Sequence, residues 1–246
     1  MPSVDCCCRL ATVARASPDA KSLNLADPAL TPLTTALKST ALWGLIALPV
    51  LIEAVLQAAD AGILGSPWWR NAAYENGAFW AGLLYDWRPN YPGQPLAMFL
   101  SYSVLHSGLG HLLGNMLTLW VLGQRVLKKI GTRDFLLLYL VSSLGGGAGF
   151  GLLSLSPQPM IGASGALFGL AGALIWLEAA ERRKAGIPLW PVLATVPGLV
   201  LLNVLMWLAL GGVLAWETHL GGFIAGVGFG IIRFLRHEVR GEKNAP

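Results

Sequence analysis

Four polar residues in an otherwise apolar sequence have the side chains needed for nucleophilic catalysis: His111, Asn115, Ser164 and His219. A serine hydroxyl becomes a nucleophile when an imidazole removes its proton, and the oxyanion that follows needs hydrogen-bond donors. Asn115 comes four residues after His111, so a helix would present both side chains on one face. The pattern indicates a serine nucleophile with a histidine base, provided that the fold brings these separate segments together.

The chain of 246 residues is too apolar for a water-soluble protein, since 54% of its residues are hydrophobic and only 12% are charged. Soluble domains carry about 25% charged residues. This composition excludes intrinsic disorder and most soluble enzymes. At about 20 residues per span, the length leaves room for six or seven membrane helices. The predicted fold class is therefore an all-α polytopic membrane protein.

Uncharged runs predict six membrane-spanning helices. There are 36 uncharged residues between Arg88 and Arg125, and 43 between Asp134 and Glu178. A helix of the first length would be about 54 Å long, too long for a hydrocarbon core about 30 Å thick, so this run must break before a span begins. The second run holds two spans. The predicted spans are about 40–59, 109–127, 135–155, 160–178, 188–210 and 213–235.

The distribution of basic residues predicts how these spans are oriented. Fifteen of the 17 lysines and arginines lie in the two terminal segments and in the loops after spans 2 and 4, all on one face. The positive-inside rule makes that face cytoplasmic. Residues 1–38 are then a flexible cytoplasmic tail and 237–246 a cytoplasmic C-terminal tail, flanking a membrane domain of residues 39–236 with a long first loop, 60–107. The basic charge reports topology in the bilayer of the cell inner membrane, and no nucleic-acid binding is expected.

Spans 2, 4 and 6 all begin on the non-cytoplasmic face, which places the four polar residues at one depth, within about two helical turns of that face. Small residues at four-residue spacing let membrane helices approach closely. Span 6 carries glycines at this spacing, Gly222, Gly226 and Gly230, and span 4 carries Gly162, Gly165, Gly169 and Gly172. If these faces pack together, Ser164 meets His219, and Phe168, one turn below Ser164, can pack against the imidazole.

Other polar residues are assigned structural roles. Glu53 in span 1 is expected to reach towards the interface or an adjacent loop, and Asn203 in span 5 is expected to bond a neighbouring helix. The three consecutive cysteines Cys6, Cys7 and Cys8 predict neither a disulfide framework nor a metal site, because their spacing suits neither.

Three motifs on alternate spans together resemble the rhomboid intramembrane serine proteases. They are His106-x4-His111-x3-Asn115, Gly162-Ala163-Ser164-Gly165 and His219-Leu220-Gly221-Gly222. Their order, spacing and topology fit the six-span bacterial form, and the resemblance covers roughly residues 40–235. It implies a six-transmembrane-helix rhomboid-like bundle in which residues 60–107 correspond to the family's first loop, which lies partly in the membrane.

The resemblance also implies a site and an activity. Ser164 and His219 would form a catalytic dyad with no third acidic member, and His111, Asn115 and the Ser164 N–H would line the oxyanion hole. The supporting residues would be Gly162, Gly165, Phe168 and His106. The expected activity is cleavage of transmembrane segments of other membrane proteins, whose helix must unwind because a helical peptide shields its carbonyls. Span 5, which contains Pro191 and Pro197, is the expected lateral gate.

The sequence departs from the family pattern at two places. A Trp-Arg pair usually precedes span 2 in the family, but Ala97 and Met98 occupy those positions here, so either Trp87-Arg88 or Trp69-Arg70 would substitute. The family often has alanine before the last histidine, where this chain has Thr218. Neither change removes a catalytic group, so an active enzyme is still expected.

Three alternatives compete with a protease. The histidines His106, His111 and His219 would need Glu217 as the one acidic ligand of a metal site, so no metal and no cofactor are predicted. A catalytically silent rhomboid-like protein would keep the fold and bind transmembrane clients. A transporter should show internal repeats in its hydropathy, and none is found. The sequence assigns no oligomeric state.

Overall fold

Helices account for nearly all the regular structure of the part of the chain that is described. A computed structural model describes the backbone of residues 31–243 and the side chains of residues 40–236. The helices are α1 (Thr31–Asp60), α2 (Trp69–Gly77), α3 (Gln94–Ser101), α4 (Leu109–Leu153), α5 (Ser164–Lys184), α6 (Trp190–Leu193), α7 (Thr195–Ala209) and α8 (Trp216–Lys243). Two short 3₁₀ turns, Ala81–Leu84 and Tyr102–Val104, lie in the first loop.

The long helix α4 contains two membrane segments. Gly131 has φ +81° and ψ 172°, which is not helical, so it interrupts the 45-residue element. A Cβ built on Gly123 would lie 3.6 Å from the Phe135 ring, which places the residues on either side of Gly131 next to each other. The chain therefore reverses at Gly131, where glycine adopts a positive φ without steric cost.

Within residues 40–236, five helical stretches are long and apolar enough to cross a membrane: Thr40–Asp60, Leu109–Leu153, Ser164–Lys184, Trp190–Ala209 and Trp216–Arg236. Because the second of these reverses at Gly131, they supply six spans. The predicted all-α polytopic bundle is confirmed. The uncharged run breaks before span 2, as predicted, because α3 ends at Ser101 and a 3₁₀ turn follows it.

Helices α5 and α8 pack backbone to backbone through glycines, as predicted from their spacing. A Cβ at Gly222 would overlap the carbonyl of Gly165, and one at Gly226 would overlap the carbonyl of Gly169. Since only glycine lacks a Cβ, no other residue allows this approach. The first turns of α5 and α8 therefore lie next to each other, at the end of the bundle that carries Ser164 and His219.

The second half of α4 packs on α8 by the same device, which the spacing analysis did not identify. A Cβ at Gly149 would lie 2.5 Å from the Glu217 carbonyl oxygen, and one at Gly145 would meet the backbone of Gly221. The start of α8 is therefore enclosed between α4 and α5. Thr218 fits within this contact, since its Cγ2 lies against Gly165 and Gly146.

The first loop is anchored to α1 by an ion pair. The Arg70 guanidinium donates to both carboxylate oxygens of Glu53, at 2.9 and 3.1 Å, and to Asp60 at 2.6 Å. These hydrogen bonds, led by that to Glu53, hold the pKa of Arg70 above its ordinary value. The expectation that Glu53 reaches an adjacent loop is confirmed.

Trp69-Arg70, rather than Trp87-Arg88, supplies the arginine that holds the first loop. Tyr74 and Arg70 both donate to the backbone carbonyl of His106, at 2.6 and 3.3 Å. Arg88, by contrast, is exposed. The network therefore ties the loop to the residues that precede α4.

The predicted tails lie partly outside the described residues. This holds for residues 1–30, which include Cys6, Cys7 and Cys8. Helix α1 begins at Thr31, where Pro32 occupies the first turn and its missing N–H costs no hydrogen bond. Helix α8 continues to Lys243. Both helices thus pass the predicted domain boundaries at 39 and 236.

Candidate active site

Ser164 and His219 meet at the end of the bundle where α5 and α8 begin. The Ser164 Oγ lies 2.8 Å from Nε2 of His219, within hydrogen-bond distance. Ser164 is the first residue of α5 and His219 lies in the first turn of α8. The glycine contacts between these helices bring together two residues that are 55 positions apart in the sequence.

The His219 ring is held from two further directions. Phe168 stacks on it with the ring centroids 4.3 Å apart and the planes 6° from parallel, which agrees with the contact predicted for Phe168. Asn203 of α7 places its Oδ1 2.7 Å from Nδ1 of His219. The expectation that Asn203 bonds a neighbouring helix is confirmed, although its partner was not foreseen. A polar residue inside a membrane helix was the one available signal.

The Asn203 contact determines which nitrogen of His219 carries the proton. An amide oxygen only accepts hydrogen bonds, so Nδ1 must donate to it. A neutral imidazole has a single N–H, which leaves a lone pair on Nε2. That lone pair faces the Ser164 hydroxyl, as a general base requires.

His111 is held in the opposite tautomer. The Ser107 backbone N–H points at Nδ1 of His111 at 3.5 Å, and the Ser107 hydroxyl lies 3.1 Å from the same atom. A backbone N–H can only donate, so Nδ1 accepts and the proton lies on Nε2. His111 therefore presents an N–H donor from the start of α4.

His111 and Asn115 direct their donors at the segment that leads into α5. A Cβ built on Gly162, whose φ is +120°, would lie 2.8 Å from Nε2 of His111 and 3.6 Å from Nδ2 of Asn115. Asn115 uses one amide hydrogen for the His111 carbonyl at 3.1 Å, which leaves its second hydrogen available. The Ser164 N–H belongs to the first turn of α5, where backbone donors have no intrahelical acceptor. Two side-chain donors thus lie beside Gly162, two residues before the Ser164 N–H.

The first loop fixes the segment that precedes Ser164. Phe79 and Met160 exchange two backbone hydrogen bonds of 2.9 Å, and the Gly162 N–H donates to the Tyr102 carbonyl at 2.9 Å. Tyr102 is itself anchored, because its hydroxyl donates to the Ser143 carbonyl at 2.7 Å. The position of Ser164 therefore depends on the first loop and on α4 as well as on α5.

His106 lies behind His111. The ring centroids of the two residues are 5.1 Å apart in an edge-on arrangement, and neither ring nitrogen of His106 has a hydrogen-bond partner among the described residues. Burial and, to a smaller extent, electrostatic repulsion from His111 together lower the pKa of His106 to about 4, so the ring is neutral near pH 7. His106 packs edge-on against His111, and Gly165 allows the close packing of α5 on α8. Among the residues with described side chains, no three His, Cys, Asp or Glu residues converge as a metal site would require.

The chain matches a family model described as "Rhomboid domain" over residues 93–236. It is 33% identical over 126 residues to the Rhomboid protease GluP of Bacillus subtilis (strain 168), which covers 50% of this chain and 23% of that protein. It is 35% identical over 147 residues to RHOMBOID-like protein 2 of Arabidopsis thaliana, with 56% and 43% covered. It is 32% identical over 134 residues to the Rhomboid protease GlpG of Yersinia pestis (strain Pestoides F), with 52% and 45% covered. The match thus spans less than half the length of each of these relatives.

Proposed function

Because the chain belongs to the rhomboid family, we propose that it is an intramembrane serine endopeptidase that cleaves transmembrane segments of other membrane proteins. The observation that carries this proposal is the 2.8 Å contact between the Ser164 Oγ and Nε2 of His219. The family includes proteins named rhomboid proteases, which supports a hydrolytic activity for this dyad.

The chemistry follows from the two tautomers. His219 Nε2 takes the Ser164 proton while Oγ attacks the substrate carbonyl carbon, and the carbonyl electrons move to its oxygen. That oxyanion accepts hydrogen bonds from the Ser164 N–H, Nε2–H of His111 and Nδ2–H of Asn115. His219 then protonates the leaving nitrogen as the C–N bond breaks. Water hydrolyses the acyl-enzyme through the same base.

The substrate is an unwound part of a transmembrane helix. Its carbonyls must leave their helical hydrogen bonds before Ser164 can attack one of them. Residues of low helix propensity near the cleavage point lower the free energy of this unwinding. We therefore assign cleavage to transmembrane segments that contain small or helix-destabilising residues.

The proposed unit is the membrane domain of residues 39–236, in the cell inner membrane with both termini cytoplasmic. The basic residues that support this orientation lie at the end of the bundle opposite the dyad. Two of them, Arg125 and Arg182, are near the ends of the first half of α4 and of α5. Water and the cleaved bond then meet at the non-cytoplasmic side.

The dyad is tested by reconstituting the full chain in proteoliposomes with a model transmembrane substrate. Ser164→Ala and His219→Ala should each lower kcat by about 10⁴-fold or more, since either change removes the nucleophile or its base. Ser143→Ala is the matched control, because Ser143 is also a buried membrane serine but its hydroxyl bonds only the Tyr139 carbonyl. Equal cleavage by all four proteins would contradict the proposal.

A fluorophosphonate supplies a second measurement that is independent of substrate choice. The wild type and Ser143→Ala should be labelled at Ser164, while His219→Ala should not, because the hydroxyl then lacks its base. A folded wild-type protein that neither reacts with the probe nor cleaves any of several substrates would instead indicate a client-binding protein.

A further inference from the structure

The hydrogen bond between Asn203 and His219 joins the proposed base to a different helix from the one that carries the nucleophile. Its length is 2.7 Å, and it uses the ring nitrogen that does not face Ser164. Without an acceptor at Nδ1, a neutral imidazole can carry its proton on either nitrogen. A proton on Nε2 would prevent His219 from accepting the Ser164 proton. The amide oxygen therefore selects the reactive form of the ring.

Helix α7, which carries Asn203, is the least buried span. Only 6% of the apolar stretch Trp190–Ala209, which comprises α6 and α7, is buried, compared with 28% to 50% for the other apolar stretches, and α7 itself has no fully buried residue. A cavity of about 530 Å³ separates much of it from α5 and α8. The cavity has apolar walls that include Val204, Leu220 and Phe223, and Asn203 and His219 meet on its surface.

The contact with His219 is the one side-chain hydrogen bond that the described residues show from α7 to α5 or α8. The Thr195 hydroxyl bonds only the nearby Val192 carbonyl. A helix that is held by little apolar packing and one polar contact can separate from the bundle at small cost, because few contacts must break. When α7 separates, its amide leaves the ring.

We propose that Asn203 is a positioning residue that keeps His219 in its reactive tautomer, so that the dyad is competent only while α7 is docked against α5 and α8. This inference rests on the proposed protease function. It makes the expected gate helix part of the catalytic arrangement: opening α7 removes the acceptor from Nδ1, and docking restores it. While α7 is open, Ser164 would then lack a base that is held in the reactive tautomer.

The first test compares Asn203→Ala with Val204→Ala in the cleavage assay. Both changes shorten a side chain of α7 that lines the same cavity, but only the first removes the acceptor. Asn203→Ala should lower kcat by roughly a hundredfold with KM changed less than about twofold, since an orienting residue acts on the base and not on binding. Val204→Ala should keep kcat within about threefold of the wild type. Equal kcat values for Asn203→Ala and the wild type would overturn the inference.

The pH profile separates positioning from packing. Asn203→Asp places a carboxylate beside Nδ1, which stabilises the imidazolium, so the acidic limb of kcat should move up by about one pH unit or more. The other ionisable neighbours are unchanged in this variant: His111 of α4, Glu217 of α8 and the Ser164 hydroxyl of α5. A residue with a purely structural role would leave the acidic limb in place.

Nitrogen NMR of histidine-labelled protein reports the tautomer without substrate. The His219 signal, assigned by its loss in His219→Gln, should show the proton on Nδ1 in the wild type and in Val204→Ala, and predominantly on Nε2 in Asn203→Ala, as a roughly hundredfold loss of kcat requires. A proton on Nε2 in the wild type would overturn the inference. If the wild type has the expected tautomer but cleaves no substrate and binds no fluorophosphonate, the protease proposal fails and the positioning of the ring stands.

Discussion

His111 and His219 carry the same side chain but hold their protons on different ring nitrogens. Ser107 donates to Nδ1 of His111, whereas Asn203 accepts from Nδ1 of His219. One ring thus becomes a hydrogen-bond donor beside Gly162 and the other a base beside Ser164. At the scale of single residues, the difference between the proposed oxyanion donor and the proposed general base comes from one neighbour of each ring.

Gly162 offers a test of the packing around His111. Gly162→Ala would strain a backbone with φ +120° and also place a methyl group 2.7 Å from the ring, so we expect a lower melting temperature and lost cleavage. Gly108→Ala is the matched control, because Gly108 has φ +124° but open space where the methyl group would go. Backbone strain costs about 1–3 kcal/mol in both variants, and the collision adds about 1–3 kcal/mol only at Gly162. Equal losses of unfolding free energy would contradict a close contact with His111.

At the scale of helices, the bundle combines one tight interface with one loose one. Helices α5 and α8 meet through Gly165 and Gly222, where the backbones touch. Helix α7 has a cavity beside it and no fully buried residue. Close contact holds Ser164 and His219 at a fixed separation, while the loose contact at α7 is what the proposed entry of a substrate would require.

The α5–α8 interface is tested by Gly226→Ala. The new methyl group would overlap the Gly169 carbonyl, which belongs to the backbone and cannot turn aside, so the unfolding free energy should fall by about 1–3 kcal/mol. Gly228 lies half a turn further on the same helix with nothing within 4 Å, so Gly228→Ala should stabilise α8 slightly through helix propensity. Denaturation in detergent measures both. If both variants unfolded alike, the helices would not pack on this face.

At the scale of the whole molecule, the first loop contacts both the segment that precedes α4 and the segment that precedes α5. Arg70 links α1 to the His106 carbonyl, and Phe79 pairs with Met160 just before α5. Glu53, only 1% exposed, receives its charge partner from that loop. Removing the Arg70 side chain would leave the buried Glu53 carboxylate without its charge partner, which is destabilising. Folding of the first loop and folding of the helices are therefore coupled through this ion pair.

The orientation of the whole chain can be measured with its natural cysteines. All three, Cys6 to Cys8, lie in the N-terminal segment, so a membrane-impermeant maleimide reports the side on which that segment lies. We expect labelling in inverted membrane vesicles and none in intact spheroplasts, because the positive-inside rule places this segment in the cytoplasm. Labelling of intact spheroplasts would reverse the proposed topology, and permeabilised spheroplasts serve as the positive control.

Composition and spacing were sufficient for the features that depend on short stretches of chain. The apolar runs predicted the spans, and the glycine spacing in α5 and α8 predicted which faces pack, since these properties repeat along one helix. From them followed the approach of Ser164 to His219 and the stacking of Phe168, which the structure has at 2.8 Å and 4.3 Å.

Contacts between distant residues were decided only by the tertiary structure. The sequence alone left Trp69-Arg70 and Trp87-Arg88 as equal candidates, because either arginine can form an ion pair; the position of Glu53 in the folded bundle selected Arg70. Asn203 was recognisable as a polar residue in a membrane helix, but its bond to His219 depends on how α7 lies against α8. Local sequence specifies helices and their faces, whereas the partner of each polar group is set by the packing of the whole chain.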